Sequence, residues 1–243
     1  MTLTVSKDFR AELHDVRDQG RRPTCLSFAA SDVHRHARKH PECLCVEWLF
    51  FHVCKQAGTD PQAGTTIPDT RAVLKAIGQP EEPIWPYCSQ PPVPAAWNPP
   101  SKVGTLFRCG SSDCTGGMQG LRQRVDQGVP VVIGMFVSDA FICPQTWERV
   151  GSEVILGADI GPPVDGHGVH AVVVVGHGEY DGDPVMLIRN SWGSDWGNDG
   201  HAWVRESYLA PRLAGAFFIS KGGGDVLQSD GNFADAHRSA RLG

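Results

Sequence analysis

The sequence predicts an α+β fold with two lobes, a helical lobe over about residues 20–90 and a β-rich lobe over about residues 100–220. In the first half, apolar residues recur at every third or fourth position, which is typical of amphipathic helices. In the second half, short β-branched and aromatic runs are bounded by glycines, which favours strands. Seven prolines between positions 83 and 100 separate the halves, because so much proline cannot continue a regular element.

The helical lobe is predicted to begin at its first helix. Arg21-Arg22-Pro23-Thr24 interrupts regular structure, and apolar residues at helical spacing follow from Cys25, with Thr24 as the N-cap. Two more helices are predicted over residues 46–55 and 69–77, the second ended by Gly78.

The β-rich lobe is predicted to open with a short helix over residues 121–127. Its strands are predicted at residues 129–137, 170–176, 185–189, 201–204 and 216–219. Asp181-Gly182-Asp183 between two of them indicates a hairpin turn. The segment from Lys221 to Gly243 opens with three glycines and is polar, which predicts a flexible C-terminal tail after a folded region of residues 1–220.

Composition limits the classes of function. The 243 residues are 41% hydrophobic and 20% charged, which is typical of a globular protein with a substantial core. The net charge of −5 argues against a nucleic-acid partner. No apolar run approaches the roughly 18 residues of a membrane span, so no membrane partner is expected. Met1 to Arg10 lack the apolar stretch of a secretory signal, which predicts a cytoplasmic location unless a leader has been removed.

The cysteines show no regular framework spacing, so we predict mostly reduced thiols. They are Cys25, Cys43, Cys45, Cys54, Cys88, Cys109, Cys114 and Cys143. Two groups contain residue types that could bind zinc, namely His40, Cys43, Cys45, His52 and Cys54, and the pair Cys109 and Cys114. Because Cys-x-Cys lacks the usual two-residue loop, we predict no metal and no other cofactor.

Cys25 stands out by its position. A single cysteine is most often a buried and inert residue. In the first turn of a helix, however, the positive end of the dipole stabilises a thiolate and lowers the pKa of the thiol. Gln19 lies six residues earlier, beside Gly20, and its amide NH2 can join the backbone N–H of Cys25 in a two-donor oxyanion hole.

Two later segments carry a histidine and an asparagine. His170 opens an apolar strand, where a purely structural role is an equally good interpretation. Asn190 follows the next strand and begins Asn-Ser-Trp-Gly-Ser-Asp-Trp-Gly, which contains Trp192 and Trp196. A hydrogen bond from the His170 ring to Asn190 would be screened from water by Trp192.

In this order the three motifs resemble the papain family of cysteine peptidases, in its bacterial-type branch. The histidine follows the cysteine by 170 − 25 = 145 positions and the asparagine by 190 − 25 = 165, against about 130–150 in the family. Gly64-Thr65-Thr66-Ile67 and Trp85-Pro86-Tyr87 extend the likeness. The resemblance implies a papain-like two-lobed fold, with a β-barrel-like C-terminal lobe and the active site in the cleft between the lobes.

The resemblance also implies roles. Cys25 would be the nucleophile, His170 the base and acid, Asn190 the residue that orients His170, and Gln19 an oxyanion donor. The implied substrate-binding residues are Gly64, Thr65, Ala171, Trp192 and Trp196. The implied reaction is hydrolysis of a peptide or protein substrate through an acyl-enzyme. The alternatives are an acyl transferase or ligase that uses the same intermediate, and a non-catalytic binding module.

The sequence departs from the family pattern near the nucleophile. Arg22-Pro23-Thr24-Cys25-Leu26 stands where Cys-Gly-Ser-Cys-Trp is usual, so the usual disulfide of the first cysteine cannot form, in agreement with a reducing compartment. Val169 precedes the histidine where an acidic residue or asparagine is common, which implies a shifted pH range. A propeptide of the usual length does not precede Cys25, so we expect either that it was removed or that activity is restrained by substrate choice, a regulatory partner or the tail.

Overall fold

The computed structural model describes residues 1–91, 93, 96–142, 147–157, 168–220 and 224–227. The strands are β1 (Leu3–Asp8), β2 (Thr105–Leu106), β3 (Gly110–Asp113), β4 (Val131–Phe136), β5 (Glu148–Val150), β6 (Glu153–Leu156), β7 (Val169–Tyr180), β8 (Asp183–Arg189), β9 (His201–Arg205), β10 (Leu213–Ser220) and β11 (Val226–Leu227). The helices are α1 (Cys25–Arg38), α2 (Val46–Ala57), α3 (Ile67–Ala76), α4 (Gly117–Asp126), α5 (Asp139–Ile142) and α6 (Glu206–Leu209).

The chain divides into two compact units, and the α+β class is confirmed. The β-rich unit comprises Met1–Gln19 and Ser112–Phe218, and the helical unit comprises Gly20–Ser111 and Ile219–Gly243. The first nineteen residues therefore belong with the strands, because β1 pairs antiparallel with β7. Within the described residues, no helix is long and apolar enough to cross a membrane.

In the helical unit, α1 begins at Cys25 as predicted. Thr24 is its N-cap residue, also as predicted, but the side chain makes no capping hydrogen bond. Its hydroxyl is hydrogen-bonded to Tyr87 Oη at 2.8 Å. α3 starts two residues before the predicted position because the Thr66 hydroxyl accepts a hydrogen bond from the Asp69 N–H, with proline in the first turn.

The segment predicted as a flexible tail contains β11, which pairs antiparallel with β2. Residues 221–223 and 228–243 of that segment lie outside the described residues.

In the β-rich unit, β7 is the central strand of one mixed sheet with the order β3-β10-β4-β7-β8-β9-β6-β5. One edge of β7 pairs first with β4 and then with β1, and the other edge pairs with β8. β1 approaches so closely that a Cβ at Gly176 or Gly178 would collide with a carbonyl oxygen of β1. The predicted hairpin turn is confirmed, since Asp181 and Gly182 both have positive φ between β7 and β8.

The sheet stays open, so the expected barrel-like lobe describes it only loosely. Its order runs from β3 to β5 without closing among the described strands, and β6 lies parallel to β9. The five predicted strands correspond to β4 and to β7 through β10.

Candidate active site

His170 and Asn190 meet at one end of the β7–β8 hairpin. His170 is the second residue of β7 and Asn190 directly follows β8, whose last residue, Arg189, lies opposite Val173. Both side chains are buried, at 6% and 3% exposure. Because neighbouring antiparallel strands bring residues at the same end together, the His170 Nε2 and Asn190 Oδ1 atoms lie 2.7 Å apart.

The second hydrogen bond of Asn190 identifies the donor in this pair. Asn190 Oδ1 also accepts the backbone N–H of Ser191 at 2.8 Å, so this atom is the carbonyl oxygen of the amide. A carbonyl oxygen cannot donate, so His170 Nε2 must carry the proton. In the neutral ring the basic nitrogen is therefore Nδ1.

An aromatic cluster covers this pair. The Trp192 ring lies over the His170 ring, with centroids 4.5 Å apart and planes inclined by 31°. Phe141 and Trp196 contact Trp192 edge-on, at 5.6 Å and 6.0 Å between centroids. Trp147 packs against Trp196 at 5.1 Å. The cluster keeps water from the His170–Asn190 hydrogen bond, and a bond in such low-dielectric surroundings is stronger than one in water.

Gln19 is held against the same loop. Its backbone N–H donates to the Ser191 carbonyl at 2.8 Å, and the Ser191 hydroxyl donates to Gln19 Oε1 at 2.6 Å. The side chain is 6% exposed. Because the amide oxygen accepts from Ser191, the NH2 group is the donor end of this side chain. Three of the four predicted catalytic residues, namely Gln19, His170 and Asn190, are thus brought together within the β-rich unit.

Cys25 belongs to the helical unit, where it is the first residue of the 14-residue helix α1 and its thiol is half-buried. Elsewhere, burial raises the pKa of the Cys45 and Cys109 thiols to about 12 and that of Cys54 to about 11. Cys143 lies outside the described residues. No cluster of three or more metal-ligating side chains occurs in the part of the chain that the structure describes.

The predicted substrate-binding residues fall in both units. Gly64 and Thr65 lie in the helical unit, where Gly64 has a positive φ of 80° and faces Pro23. Thr65 has a buried hydroxyl without a hydrogen-bond partner among the described residues. Ala171, next to His170 on β7, is 5% exposed, and Trp192 and Trp196 belong to the aromatic cluster.

Sequence reasoning missed Ser191 and Phe141. Ser191 stands inside the Asn-Ser-Trp-Gly motif, so its place beside Asn190 was the available signal. Phe141 contacts residues about fifty positions away, and no local pattern marks such a contact.

A sequence model of the papain family of cysteine proteases matches residues 108–210, which include His170 and Asn190. This part of the chain, which is less than half of the sequence, is similar to the papain family. Cysteine proteinase 3 of Solanum lycopersicum is 42% identical over 66 residues, 27% of this chain and 18% of that protein. A cysteine protease of Blomia tropicalis is 34% identical over 84 residues, 35% of this chain and 23% of that protein. The matches thus span about a fifth of the length of these two relatives.

Solved structures show the papain-like fold over most of the chain. Xylellain, a cysteine protease from Xylella fastidiosa, has a TM-score of 0.73 and 22% identity, covering 91% of this chain and 87% of its own. The cysteine protease CMS1MS2 of Carica candamarcensis, in complex with E-64, has a TM-score of 0.66 and 22% identity, covering 88% and 97%. The predicted papain-like fold is therefore confirmed, and the bacterial-type branch stays a prediction.

Proposed function

We propose that this chain is a cysteine peptidase that hydrolyses peptide bonds through a Cys25–His170–Asn190 triad and a covalent acyl-enzyme. The hydrogen bond of 2.7 Å between His170 Nε2 and Asn190 Oδ1 carries the proposal. It fixes the ring in the tautomer whose Nδ1 accepts a proton, as a general base requires. The residues that form it lie in the segment matched by the papain family.

In the proposed mechanism the Cys25 thiolate attacks the carbonyl carbon of the substrate. The N-terminal end of α1 stabilises the negative charge of the thiolate through the helix dipole. His170, protonated at both nitrogens, then gives its Nδ1 proton to the leaving amine as the C–N bond breaks. Asn190 keeps its hydrogen bond to Nε2 throughout and holds the plane of the ring.

The Gln19 NH2 group and the Cys25 backbone N–H would stabilise the oxyanion that develops during attack. The Ser191 hydroxyl supports this role because it holds the Gln19 amide with its oxygen turned toward Ser191. In the second half of the reaction, His170 Nδ1 takes a proton from water, which attacks the acyl-enzyme and releases the acid.

We assign the substrate backbone to Gly64 and Thr65, a substrate side chain to Ala171 and the leaving-group side to Trp196, with Trp192 as a further substrate-binding residue. A cytoplasmic location and restraint by a regulatory partner are proposed with this function. Cell fractionation and co-purification with the Cys25→Ala protein would test them.

A peptide library treated with wild-type and Cys25→Ala protein tests the function. We expect cleavage by the wild type only, with equal melting temperatures, because the side chain at position 25 is needed for chemistry and not for the core. Cleavage by Cys25→Ala would remove the nucleophile assignment. Repeating the reaction with an added amine separates hydrolysis from transfer, since amide products would show an acyl transferase and acid products a peptidase.

A further inference from the structure

Arg22 lies three residues before Cys25 in the helical unit, and its charged guanidinium group is buried. Its side chain is 2% exposed, and that of its partner Glu47, in the first turn of α2, is 3% exposed. The guanidinium and the carboxylate form two parallel hydrogen bonds, from Nη1 to Oε2 at 2.6 Å and from Nη2 to Oε1 at 2.8 Å. A bidentate pair of this kind fixes both the distance and the orientation of the guanidinium plane.

Further groups of the same unit hold this pair. Arg22 Nη1 also donates to the Cys88 carbonyl at 2.6 Å, and its guanidinium lies 4.9 Å from the centre of the Tyr87 ring. The Trp97 indole N–H donates to Glu47 Oε1 at 2.6 Å. The guanidinium is thus held at once by Glu47 of α2 and by Tyr87 and Cys88.

A short turn transmits the position of Arg22 to Cys25. The Thr24 N–H donates to the Arg22 carbonyl at 2.8 Å, and the Thr24 carbonyl accepts the Phe28 N–H at 3.1 Å in the first turn of α1. The buried Thr24 hydroxyl is hydrogen-bonded to Tyr87 Oη. Residues 22–24 therefore have little freedom, and Cys25 is the next residue of the chain.

Stability alone does not account for this arrangement. Taking two charges out of water costs about as much as their attraction returns, so an apolar pair of similar volume would stabilise the unit equally well. An apolar pair, however, makes no hydrogen bonds that would fix the orientation of its side chains. The rate of nucleophilic attack depends on the exact placement of the nucleophile, since a misplacement of about 1 Å can lower it about 10²-fold.

We propose that the Arg22–Glu47 ion pair is a positioning device for Cys25, which holds the turn of residues 22–24 so that α1 begins with the thiol in one place. The proposal rests on the proposed peptidase function. Arg22 occupies the position at which the family signature has a disulfide-forming cysteine, so here a non-covalent pair would anchor the turn.

The double variant Arg22→Met/Glu47→Leu tests this proposal in the full chain. We expect its melting temperature to stay near that of the wild type, because neither charge is left unpaired. We expect kcat to fall by about 10²-fold with KM unchanged. Deuterium exchange of the amides of residues 24–28 should rise by about tenfold, because the turn gains freedom. Arg122→Met/Glu206→Leu, which removes a partly buried pair of the β-rich unit, is the control and should keep the wild-type kcat.

A wild-type kcat in the Arg22→Met/Glu47→Leu protein overturns the proposal. If that protein fails to fold, kcat of Arg22→Lys is measured instead, because lysine keeps the charge but cannot form the two parallel hydrogen bonds of the guanidinium. A reduced kcat at unchanged KM then supports the proposal, and a wild-type kcat overturns it. Absence of hydrolysis by the wild type would overturn the peptidase function only. Deuterium exchange of residues 24–28 in Arg22→Met/Glu47→Leu then tests the positioning role by itself. Faster exchange than in the wild type supports it, and unchanged exchange overturns it.

Discussion

Asn190 determines which nitrogen of His170 can act as a base, because its one carbonyl oxygen accepts both the imidazole Nε2–H and the Ser191 N–H. Asn190 Nδ2 is buried and has no hydrogen-bond partner among the described residues. Within the described part of the chain, the buried amide is therefore held by its oxygen alone, which accepts both hydrogen bonds.

Asn190→Ala should lower kcat by about 10²-fold, since the ring loses the acceptor that selects its tautomer and its plane. KM should change little, because the loss affects proton transfer. Steady-state kinetics on a cleaved peptide measures both constants. Asn198→Ala in the following loop is the matched control and should retain the wild-type rates; equal rates for both variants would contradict the role given to Asn190.

A second buried histidine, His34 in α1, makes the stability of the protein depend on pH. Its Nδ1 donates to Gln79 Oε1 at 2.9 Å, since the Gln79 NH2 group already donates to Ser31 and to the Cys45 carbonyl. Burial, together with the smaller effect of nearby Arg38, lowers the pKa of His34 to about 4.

An unfolded histidine has a pKa of about 6.5, so above this pH His34 is neutral in both states and contributes no pH dependence. As the pH falls from about 6.5 to 4, only the unfolded state gains the proton, and about 3 kcal/mol of unfolding free energy is lost. Urea unfolding at pH 7 and pH 4.5 should show a smaller loss for His34→Gln than for the wild type. His36→Gln, on the same helix, should follow the wild type; parallel losses in all three proteins would refute the assignment.

At the scale of elements, the sequence predicted the helices and strands that have a clear period and missed those that do not. α1, α2 and β7 through β10 have long apolar faces or runs, which local pattern describes well. β1 was missed because most of its side chains are exposed, and its strand character comes from pairing with β7, more than 160 positions away. Ion pairs such as Arg22–Glu47 are missed for the same reason, since only the folded chain brings them together.

The predicted end of β7 at Gly176 was wrong for a physical reason. Glycines 176 and 178 do not end the strand; they make room for the carbonyl oxygens of β1, and β7 continues to Tyr180.

Gly178→Ala should therefore displace β1 and destabilise the protein by about 1–3 kcal/mol, because the added Cβ overlaps the Thr4 carbonyl oxygen. The urea midpoint measures this loss. Gly224→Ala is the control, since a Cβ there meets no atom within 4 Å. A Gly178→Ala protein as stable as the control would show that β1 is not held in this register.

At the scale of the whole molecule, the match to the papain family model covers less of the chain than the structural similarity does. The family match spans residues 108–210 and contains His170 and Asn190, whereas Gln19 and Cys25 lie before it. The papain-like fold extends over 91% of the chain at 22% identity. The proposed chemistry requires a group from each unit, Cys25 from the helical unit and His170 from the β-rich unit.

Mass spectrometry of the acid-quenched reaction shows whether Cys25 carries the acyl group of the acyl-enzyme. A slowly deacylating ester substrate is added to wild-type protein, and the digest is searched for acyl groups on all eight cysteines. We expect the acyl group on Cys25 alone, because burial holds the pKa of Cys45, Cys54 and Cys109 near 11 to 12 and keeps them as thiols. His170→Ala should abolish the adduct. Turnover with no acyl group on Cys25, or with the group on another cysteine, would show that Cys25 is not the nucleophile.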